Sequence, residues 1–249
     1  MKKSKGKYVY CFIRRPQSFD FNVPGMENSS VHLIESSGLA AVVSDMKQDY
    51  YPATKTNVIS YQNVVEGVMR ISNPVLPAIY GTVTEDIESI EEKILKEKRE
   101  ELMQALARFE GKVEYCLRGV WVDPSLIMKK IARTSPLLKS ARERIAAAPL
   151  SIEEAIEIGR VMLDTRDSIK ERIRDSALYT LEDVAEEYKV IPEVNEENIF
   201  NISVLVNKEK ENEVGKIVAG LGKRHAKDKA FFKYVGPLPP YSFFDVRII

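Results

Sequence analysis

The residue types that carry out most enzyme chemistry are rare in this chain of 249 residues. It has two histidines, His32 and His225, and two cysteines, Cys11 and Cys116. Zinc and haem sites use such residues at short, regular spacings, whereas these four are far apart in the sequence. Both cysteines fall in apolar runs that predict strands, where a thiol packs as a small hydrophobic group. The sequence therefore predicts no metal site and no cofactor site, while a Cys–His pair formed by folding stays open.

One glycine-rich stretch, Gly215 to His225, has a superficial likeness to a phosphate-binding loop. Such a loop has a four-residue spacer before Gly-Lys, a Ser or Thr after the lysine, and a position at the start of a helix. Here Arg224 follows Lys223, and the spacer does not fit. We therefore predict that Gly220 and Gly222 end a helix and bind no phosphate.

A long helical pattern begins at Ser151 and carries both acids and an unusual arginine. Most of its acids lie opposite the apolar stripe, which predicts a solvated face rather than a carboxylate site. Arg166 lies instead on the apolar side, together with Met162 and Ile169. We expect Arg166 to extend its aliphatic stem toward solvent or to pair with an acid at a domain interface, and we name it as a candidate partner-binding residue.

The overall charge and hydropathy exclude two classes of partner. Lys+Arg and Asp+Glu both number 37, so the formal net charge is zero, which argues against a general nucleic-acid binder. The basic stretch from Lys129 to Arg144 lacks interleaved aromatic residues and predicts a solvated helix face. No apolar run approaches the ~20 residues of a membrane span. Two separated cysteines fit a reduced, cytoplasmic setting.

The spacing of apolar residues and of turn residues predicts a mixture of strands and helices. In the first half we predict strands at Lys7–Arg14, Val31–Glu35, Leu39–Asp45 and Val75–Tyr80, and helices from Thr56 to Ile71 and from Thr84 to Gly111. In the second half we predict strands at Val113–Val122, Asn198–Val206, Lys229–Val235 and Tyr241–Ile249, and helices beginning at Asp123-Pro124, running from Ser151 to about Tyr188, and spanning Lys208–Leu221.

The order of these elements predicts an α+β protein with two domains. Strands and helices do not alternate strictly, so a doubly wound parallel sheet is disfavoured. Gly111 ends the helical pattern of the first half, and we place the boundary there, between residues 1–110 and 111–249. We expect each domain to be a mixed or antiparallel sheet with helices packed on it, of ferredoxin-like type.

Within the stretch GPLPPYSFFDV, Gly236 to Val246, the residues from Gly236 to Tyr241 predict a rigid, extended corner. Its prolines each fix their own φ and keep the preceding residue out of the helical region; they are Pro237, Pro239 and Pro240. The two-residue period that follows predicts a last strand that buries Phe244, Val246 and Ile248 in the sheet of the second domain. Tyr241 and Phe243 are our candidates for aromatic residues left partly exposed for a partner.

Four segments of the sequence resemble the gas vesicle protein family GvpF/GvpL. Gly-Pro-Leu-Pro-Pro-Tyr-Ser-Phe from Gly236 is similar to the family's C-terminal signature. YVYCFI from Tyr8, GLAAVVSDM from Gly38 and VLPAIYGTV from Val75 resemble three further family segments, in the family's order. The resemblance implies structural roles for the motif residues Leu76, Pro77, Gly81, Thr82, Gly236, Pro237, Pro239 and Pro240. This chain departs from the family pattern at Ile79 and Tyr80, where the family usually has Arg-Phe, and at Leu238, where it often has Trp.

The resemblance implies a non-enzymatic accessory or minor structural protein of gas vesicles. Members of the family are expected to have two α+β domains and no catalysis, and to act in assembly by contacting the hydrophobic shell protein GvpA and other accessory proteins. The implied location is the gas vesicle or the cytoplasm around it. Two alternatives stay open from the residues alone: a small-molecule-binding regulatory module of ferredoxin-like type, and an enzyme with an unrecognised carboxylate or cysteine site.

Overall fold

The computed structural model of this protein describes residues 6–145, 149–192 and 195–244. These residues fall into two compact units. The first unit contains the residues up to Glu114 and also those from Pro237 onward, and the second contains Tyr115–Gly236. Each unit combines a sheet with helices, which confirms the predicted α+β class with two sheets.

The first unit is built on an antiparallel sheet whose central strand is buried from Tyr8 to Ile13. Its strands are β1 (Lys7–Arg14), β2 (Val31–Ser36), β3 (Leu39–Asp45), β4 (Leu76–Pro77) and β5 (Val83–Thr84). They lie in the order β2-β3-β1-β4, and β5 also pairs with β1. The predicted hairpin of β2 and β3 is confirmed, and Ser37 and Gly38 form its turn with positive φ angles of 53° and 82°. Two left-handed residues match the right-handed twist of a hairpin.

The helices of the first unit begin at caps that differ from the predicted ones. They are α1 (Lys55–Ile71), a π-helical segment at Ser89–Lys96 and α2 (Arg99–Phe109), with a short 3-10 turn at Met26–Asn28. The cap of α1 is Thr54, not Thr56, because the Thr54 hydroxyl accepts the N–H of Asn57 at 3.3 Å. Thr84 lies in β5, and the carboxylate of Asp86 accepts the N–H of Ser89 instead, at 2.8 Å.

The second unit follows the β-α-β-β-α-β order of a ferredoxin-like fold. Its elements are β6 (Lys112–Trp121), α3 (Pro124–Thr134), α4 (Lys139–Ile145), α5 (Ile152–Leu181), β7 (Ala185–Ile191), β8 (Asn198–Asn207), α6 (Glu211–Arg224) and β9 (Ala230–Leu238), with 3-10 turns at Pro136–Leu138, Lys208–Lys210 and Ala226–Asp228. The sheet order is β7-β8-β6-β9. This order places the two central strands first and third in sequence, as the split β-α-β arrangement requires. The first unit differs, since β1, β2 and β3 follow one another without an intervening helix.

The long predicted helix is shorter than expected at its C-terminal end. It begins as predicted at Ser151, which forms a capping box with Glu154. It ends at Leu181, and the residues up to Tyr188, predicted as helix, belong largely to strand β7. The many charged residues between Leu181 and Tyr188 are compatible with an exposed helix and with an edge strand. Antiparallel pairing with β8 decides between them, a long-range interaction that local spacing does not contain.

The C-terminal segment belongs to the first unit, which corrects the predicted domain 111–249. β9 runs extended through Leu238, as predicted for the start of the corner, but Tyr241, predicted as its end, lies in a turn in which its N–H donates to the Pro239 carbonyl at 2.7 Å. The predicted strand from Tyr241 is wrong at its start, because the N–H groups of Phe243 and Phe244 donate to the carbonyl of Pro240 and close a turn. Phe244 is buried as expected, while Val246 and Ile248 lie outside the described residues.

Candidate functional site

A cluster of tyrosines forms the centre of the first unit, where the family-like segments meet. Its six members are in ring contact with one another: Tyr8, Tyr10, Tyr51, Tyr61, Tyr80 and Tyr241. β1 places Tyr8 and Tyr10 on one face, with ring centroids 4.9 Å apart. α1 carries Tyr61, whose ring lies 5.6 Å from that of Tyr80. Edge-to-face and offset pairs of this kind add stability beyond the area that they bury.

The hydroxyl groups of the cluster hold the segment that contains the Leu-Pro and Gly-Thr motifs. Tyr8 Oη accepts the N–H of Gly81 at 3.0 Å, and Tyr61 Oη donates to the carbonyl of Ala78. Gly81 has a φ of 88°, a conformation that favours glycine over any residue with a Cβ atom. Thr82 Oγ1 donates to the carbonyl of Ile79 at 2.7 Å and closes the turn. The structure therefore explains why the motif has glycine at position 81 and threonine at position 82.

Leu76 and Pro77 anchor the same segment to the sheet. Both are buried, and they pair with Phe12 and Cys11 of β1. Only Leu76 and Pro77 form a strand, so the predicted strand Val75–Tyr80 is much shorter than expected. Beyond Pro77, the Ala78 N–H still donates to the Tyr10 carbonyl at 2.9 Å, and the chain then turns at Tyr80 and Gly81.

The phenol groups of Tyr8, Tyr61 and Tyr241 remain neutral at physiological pH. Burial raises the pKa of Tyr8, of Tyr61 and of Tyr241 well above the ordinary value of a phenol. The same cause raises the pKa of the buried Cys11 thiol, which makes it unreactive. The cluster therefore supplies packing and fixed hydrogen bonds rather than a base or a nucleophile.

The proline-rich corner delivers the C-terminal residues to this cluster. A Cβ atom at Gly236 would come within 2.4 Å of the Tyr115 ring, so only glycine allows the close approach. Beyond Pro237, Pro239 and Pro240, the Tyr241 ring lies 6.3 Å from that of Tyr61. The Ser242 N–H and hydroxyl then both donate to the buried Glu114 carboxylate, at 2.8 and 2.6 Å.

These contacts correct part of the predicted partner site. Phe243 is buried, not exposed, because the turn after Pro240 directs it inward. Tyr241 is partly buried and packs against the core of the first unit. Both residues therefore have structural roles that the alternation of the sequence did not reveal.

An exposed apolar surface lies beside the cluster. Tyr50 is 69% exposed and Ile79 is 52% exposed. Tyr80 Oη donates to the Pro52 carbonyl at 3.0 Å and joins the two chain segments that carry them. We call Tyr50, Ile79 and Tyr80 the Tyr50–Ile79 surface. One feature of the sequence indicates this surface. Ile79 lies between the Leu-Pro and Gly-Thr motifs and belongs to no predicted apolar face.

Arg166 lies on α5 in the second unit, and its side chain is mostly buried. Its Nε donates to Asp167 at 2.8 Å, and its Nη1 lies 4.0 Å from the Glu196 carboxylate. It also lines a cavity of about 390 Å³ with Lys170 and Arg174. Both acids lie in the same unit as Arg166, so these contacts are not the pairing expected at a domain interface, and partner binding by Arg166 stays a prediction.

A Ser–His–Asp arrangement in the second unit was not predicted. His225 Nδ1 lies 3.3 Å from Asp228 Oδ2, and its Nε2 lies 3.1 Å from Ser176 Oγ. Arg224 donates to the same serine oxygen at 3.1 Å. Ser176 lies inside α5, where backbone N–H groups bond within the helix and do not stabilise an oxyanion. The arrangement therefore serves to fasten the end of α6 to α5.

The same cluster contains a carboxylate whose ionisation is coupled to folding. Burial of Asp228 opposes its ionisation, yet hydrogen bonds from His225 and Lys130 and the charge of Arg172 hold its pKa below the usual range. Within residues 6–145, 149–192 and 195–244 there is no group of three or more His, Cys, Asp or Glu residues placed to hold a metal ion. The described helices also include none with the length and apolar character to cross a bilayer.

Comparison with known proteins places these features in a family. A sequence model described as "Gas vesicle synthesis protein GvpL/GvpF" matches residues 6–245. The chain belongs to the GvpL/GvpF family. Gas vesicle protein F of Dolichospermum flosaquae is 24% identical over 237 residues, which cover 95% of this chain and 96% of that protein. Gas vesicle protein L1 of Halobacterium salinarum is 22% identical over 258 residues, which cover 96% of this chain and 90% of that protein.

Solved structures of GvpF proteins have the same fold. The crystal structure of GvpF from an Anabaena species superposes with a TM-score of 0.86 at 23% identity, and covers 97% of this chain and 99% of that chain. GvpF from Microcystis aeruginosa gives a TM-score of 0.82 at 24% identity, and covers 98% of this chain and 100% of that chain. Membership in the GvpL/GvpF family supports a role in gas vesicle formation and association with other gas vesicle proteins.

Proposed function

We propose that this protein acts in gas vesicle assembly by binding the hydrophobic shell protein GvpA, and that it does so without catalysing a reaction. The observation that carries the proposal is the family match over residues 6–245, which includes both units. The chemistry of the tyrosine cluster agrees with it, because burial holds the Tyr8 and Tyr61 phenols and the Cys11 thiol in their neutral forms.

The physical task explains why such a protein is needed. A shell subunit with a large apolar surface aggregates in water unless another surface covers it. The covering surface must itself be apolar but small enough to keep its own protein soluble. Two exposed residues next to a rigid core meet this requirement, namely Tyr50 and Ile79.

The Tyr50–Ile79 surface is pre-organised for such a contact. Its member Tyr80 is held in place, because its ring contacts those of Tyr8 and Tyr61 and its hydroxyl donates to the Pro52 carbonyl. A rigid surface loses little conformational entropy on binding. More of the free energy gained by burying its apolar area therefore contributes to affinity. Tyrosine is frequent at interfaces because its ring is apolar and its hydroxyl tolerates water.

Co-purification of GvpA with affinity-tagged variants tests this proposal. We expect wild-type protein to retain GvpA over an unrelated soluble protein, and Ile79→Ser and Tyr50→Ser each to reduce the retained GvpA about tenfold or more, as hot-spot residues do. Ile152→Ser, at a position 79% exposed on α5, is the matched control and should retain GvpA. Equal retention by all three variants, with unchanged melting temperatures, would count against this surface. Absence of GvpA from the wild-type eluate would count against the function itself.

A second candidate, a small-molecule-binding module, is favoured by one cavity in the first unit. Its volume is about 610 Å³, within the range of ligand pockets, and its lining combines Met46 and Ile94 with Asp49, Ser89 and Lys93. Native mass spectrometry of the purified protein would detect a retained ligand as additional mass. A measured mass equal to that of the chain alone would count against this candidate.

A further inference from the structure

The N-terminal half of α5 carries apolar side chains that are exposed to solvent. Ile152 is 79% exposed, Ile156 is 67% exposed and Leu163 is 44% exposed. Residues four and seven positions apart lie on one side of a helix, so these three side chains share a face. The spacing of seven continues from Leu163 to Lys170 and Ala177, which are buried. One face of α5 is therefore covered in its C-terminal half and exposed in its N-terminal half.

The length of α5 explains this difference between its two halves. With 30 residues, α5 is about 45 Å long. The central strands β6 and β8 have ten residues each and are about 33 Å long. α5 contacts β8, and its C-terminal half buries Ile173, Ala177 and Leu181. A helix packed along this sheet from its C-terminal half must extend beyond the strands at its N-terminal half.

The exposed face also contains a glycine that no contact within the described chain explains. Gly159 lies between Ile156 and Leu163, in the interior of α5. Glycine destabilises the interior of a helix relative to alanine. A Cβ atom added at Gly159 would meet no described atom within 4 Å apart from its own stretch of helix, so packing inside the chain does not require glycine. Glycine does allow a second backbone to approach closely. We call Ile152, Ile156, Gly159 and Leu163 the α5 stripe.

The α5 stripe is complementary to itself in one antiparallel register. Its alternating spacing of four and three residues is that of a seam between two helices. A twofold axis at the middle of the stripe sets Ile152 opposite Leu163 and Ile156 opposite Gly159, each twice. A shift of one layer toward the C-terminus would set Ile156 opposite Arg166. A shift the other way would place Leu163 opposite residues that precede α5.

The same register brings opposite charges together beside the stripe. Glu153 and Arg160 flank it on one side, and in the antiparallel pair Glu153 of each copy lies opposite Arg160 of the other. The Arg160 side chain is 68% exposed and pairs with Glu157 of its own helix at 2.5 Å. Such an exposed pair contributes little, and a guanidinium has donors for two carboxylates. In a parallel pair Arg160 would lie opposite Ala155, so the charges favour the antiparallel arrangement.

We propose that two copies of this protein pair through the α5 stripe, with the helices antiparallel and Gly159 close to the twofold axis. This pairing is independent of GvpA binding, because it uses the second unit, whereas the Tyr50–Ile79 surface belongs to the first. Three apolar side chains from each copy cover less than the roughly 1,600 Å² of a standard stable interface. We therefore expect a reversible dimer that forms at high protein concentration.

Two glycine substitutions test the pairing by sedimentation equilibrium of the full chain. Gly159→Ala and Gly220→Ala both add a methyl group inside a helix where no described neighbour lies within 4 Å. Both should raise the melting temperature, measured at a concentration where the chain is monomeric. Only Gly159→Ala should weaken dimerisation, by about tenfold or more, because the methyl group holds the two helices apart. A purely structural role of Gly159 predicts no variant that is more stable and yet dimerises less.

Charge exchange tests the register in the same measurement. Glu153→Arg and Arg160→Glu alone should each weaken dimerisation about tenfold or more, since each places like charges opposite one another twice. The double variant Glu153→Arg/Arg160→Glu restores opposite charges and should dimerise like the wild type. Restoration by the double variant separates the pairing from a general effect of charge.

Three results would overturn the proposal. They are a wild-type chain that stays monomeric at the highest concentration measured, a Gly159→Ala variant that dimerises like the wild type, and a double charge variant that does not recover. Loss of GvpA retention by Ile152→Ser would assign the stripe to the shell protein instead of a second copy, and would overturn it as well. A monomeric wild-type chain that still retains GvpA would contradict the pairing alone and leave the proposed function intact.

Discussion

At the scale of single residues, polar groups in this protein act mainly to fix structure. The tyrosine hydroxyls hold the motif turn, and the Glu114 carboxylate accepts both donors of Ser242. Ser176, His225 and Asp228 are in contact in the Ser–His–Asp order of a catalytic triad, yet their role is to join helices α5 and α6. Geometry around the serine, not the identity of the three residues, decides this difference.

The Asp228 cluster makes stability depend on pH in a defined direction. Because the pKa of this carboxyl is lowered on folding, its stabilising contribution is present above the unfolded pKa of about 3.9 and is lost as pH falls through the folded value. We expect Asp228→Asn to destabilise the second unit at pH 7, and the difference from wild type to shrink below about pH 4. Urea unfolding followed by fluorescence of Trp121, the single tryptophan, measures this difference.

An exposed acid on α5 provides the control for this measurement. Asp164→Asn removes the same charge where the side chain is solvated, so it should change stability by less than about 0.5 kcal/mol at either pH. A wild-type advantage over Asp228→Asn that persists unchanged at pH 3 would contradict the assigned role of the carboxylate.

At the scale of elements, the decisive feature is a chain end that returns to the first unit. Residues 237–244 belong to the first unit, where Tyr241 contacts Tyr61 and Phe244 is buried. Burying an aromatic side chain of this kind stabilises a protein by roughly 1.5–3 kcal/mol. The corner of prolines therefore acts as a structural connection and not as a free peptide.

Truncation before Pro237 should consequently affect the N-terminal half of the chain. We expect the shortened protein to lose protection in residues 6–114 while Trp121 keeps its buried emission. Limited proteolysis with mass spectrometry locates the new cleavage sites. Cleavage confined to the region from Tyr115 to Gly236 would show that the segment supports the second unit instead.

The elements also show how far the sequence could predict this structure. β1, the β2–β3 hairpin, β6 and β8 were predicted closely because strong local signals, such as the Ser-Gly turn, bound their apolar runs. β7 was missed because its pairing with β8 is long-range and its charged residues suit a helix equally well. The site was predicted least well. The alternation of the sequence predicted a partly exposed Phe243, but the turn that begins at Pro240 buries this side chain.

At the scale of the whole molecule, both α+β units contribute to the match with the GvpL/GvpF family over residues 6–245. The first unit exposes Tyr50 and Ile79 beside a rigid tyrosine core, and this surface is the contact with GvpA that we propose.

The central claim is that this protein binds GvpA by covering apolar surface, and the solubility of GvpA tests it most directly. The measurement is the fraction of GvpA left in the supernatant after centrifugation, with and without an equimolar amount of this protein. We predict that GvpA stays in the supernatant with the wild-type protein and with Ile152→Ser, and sediments with Ile79→Ser. If GvpA sediments to the same extent whether or not the wild-type protein is present, the claim is contradicted.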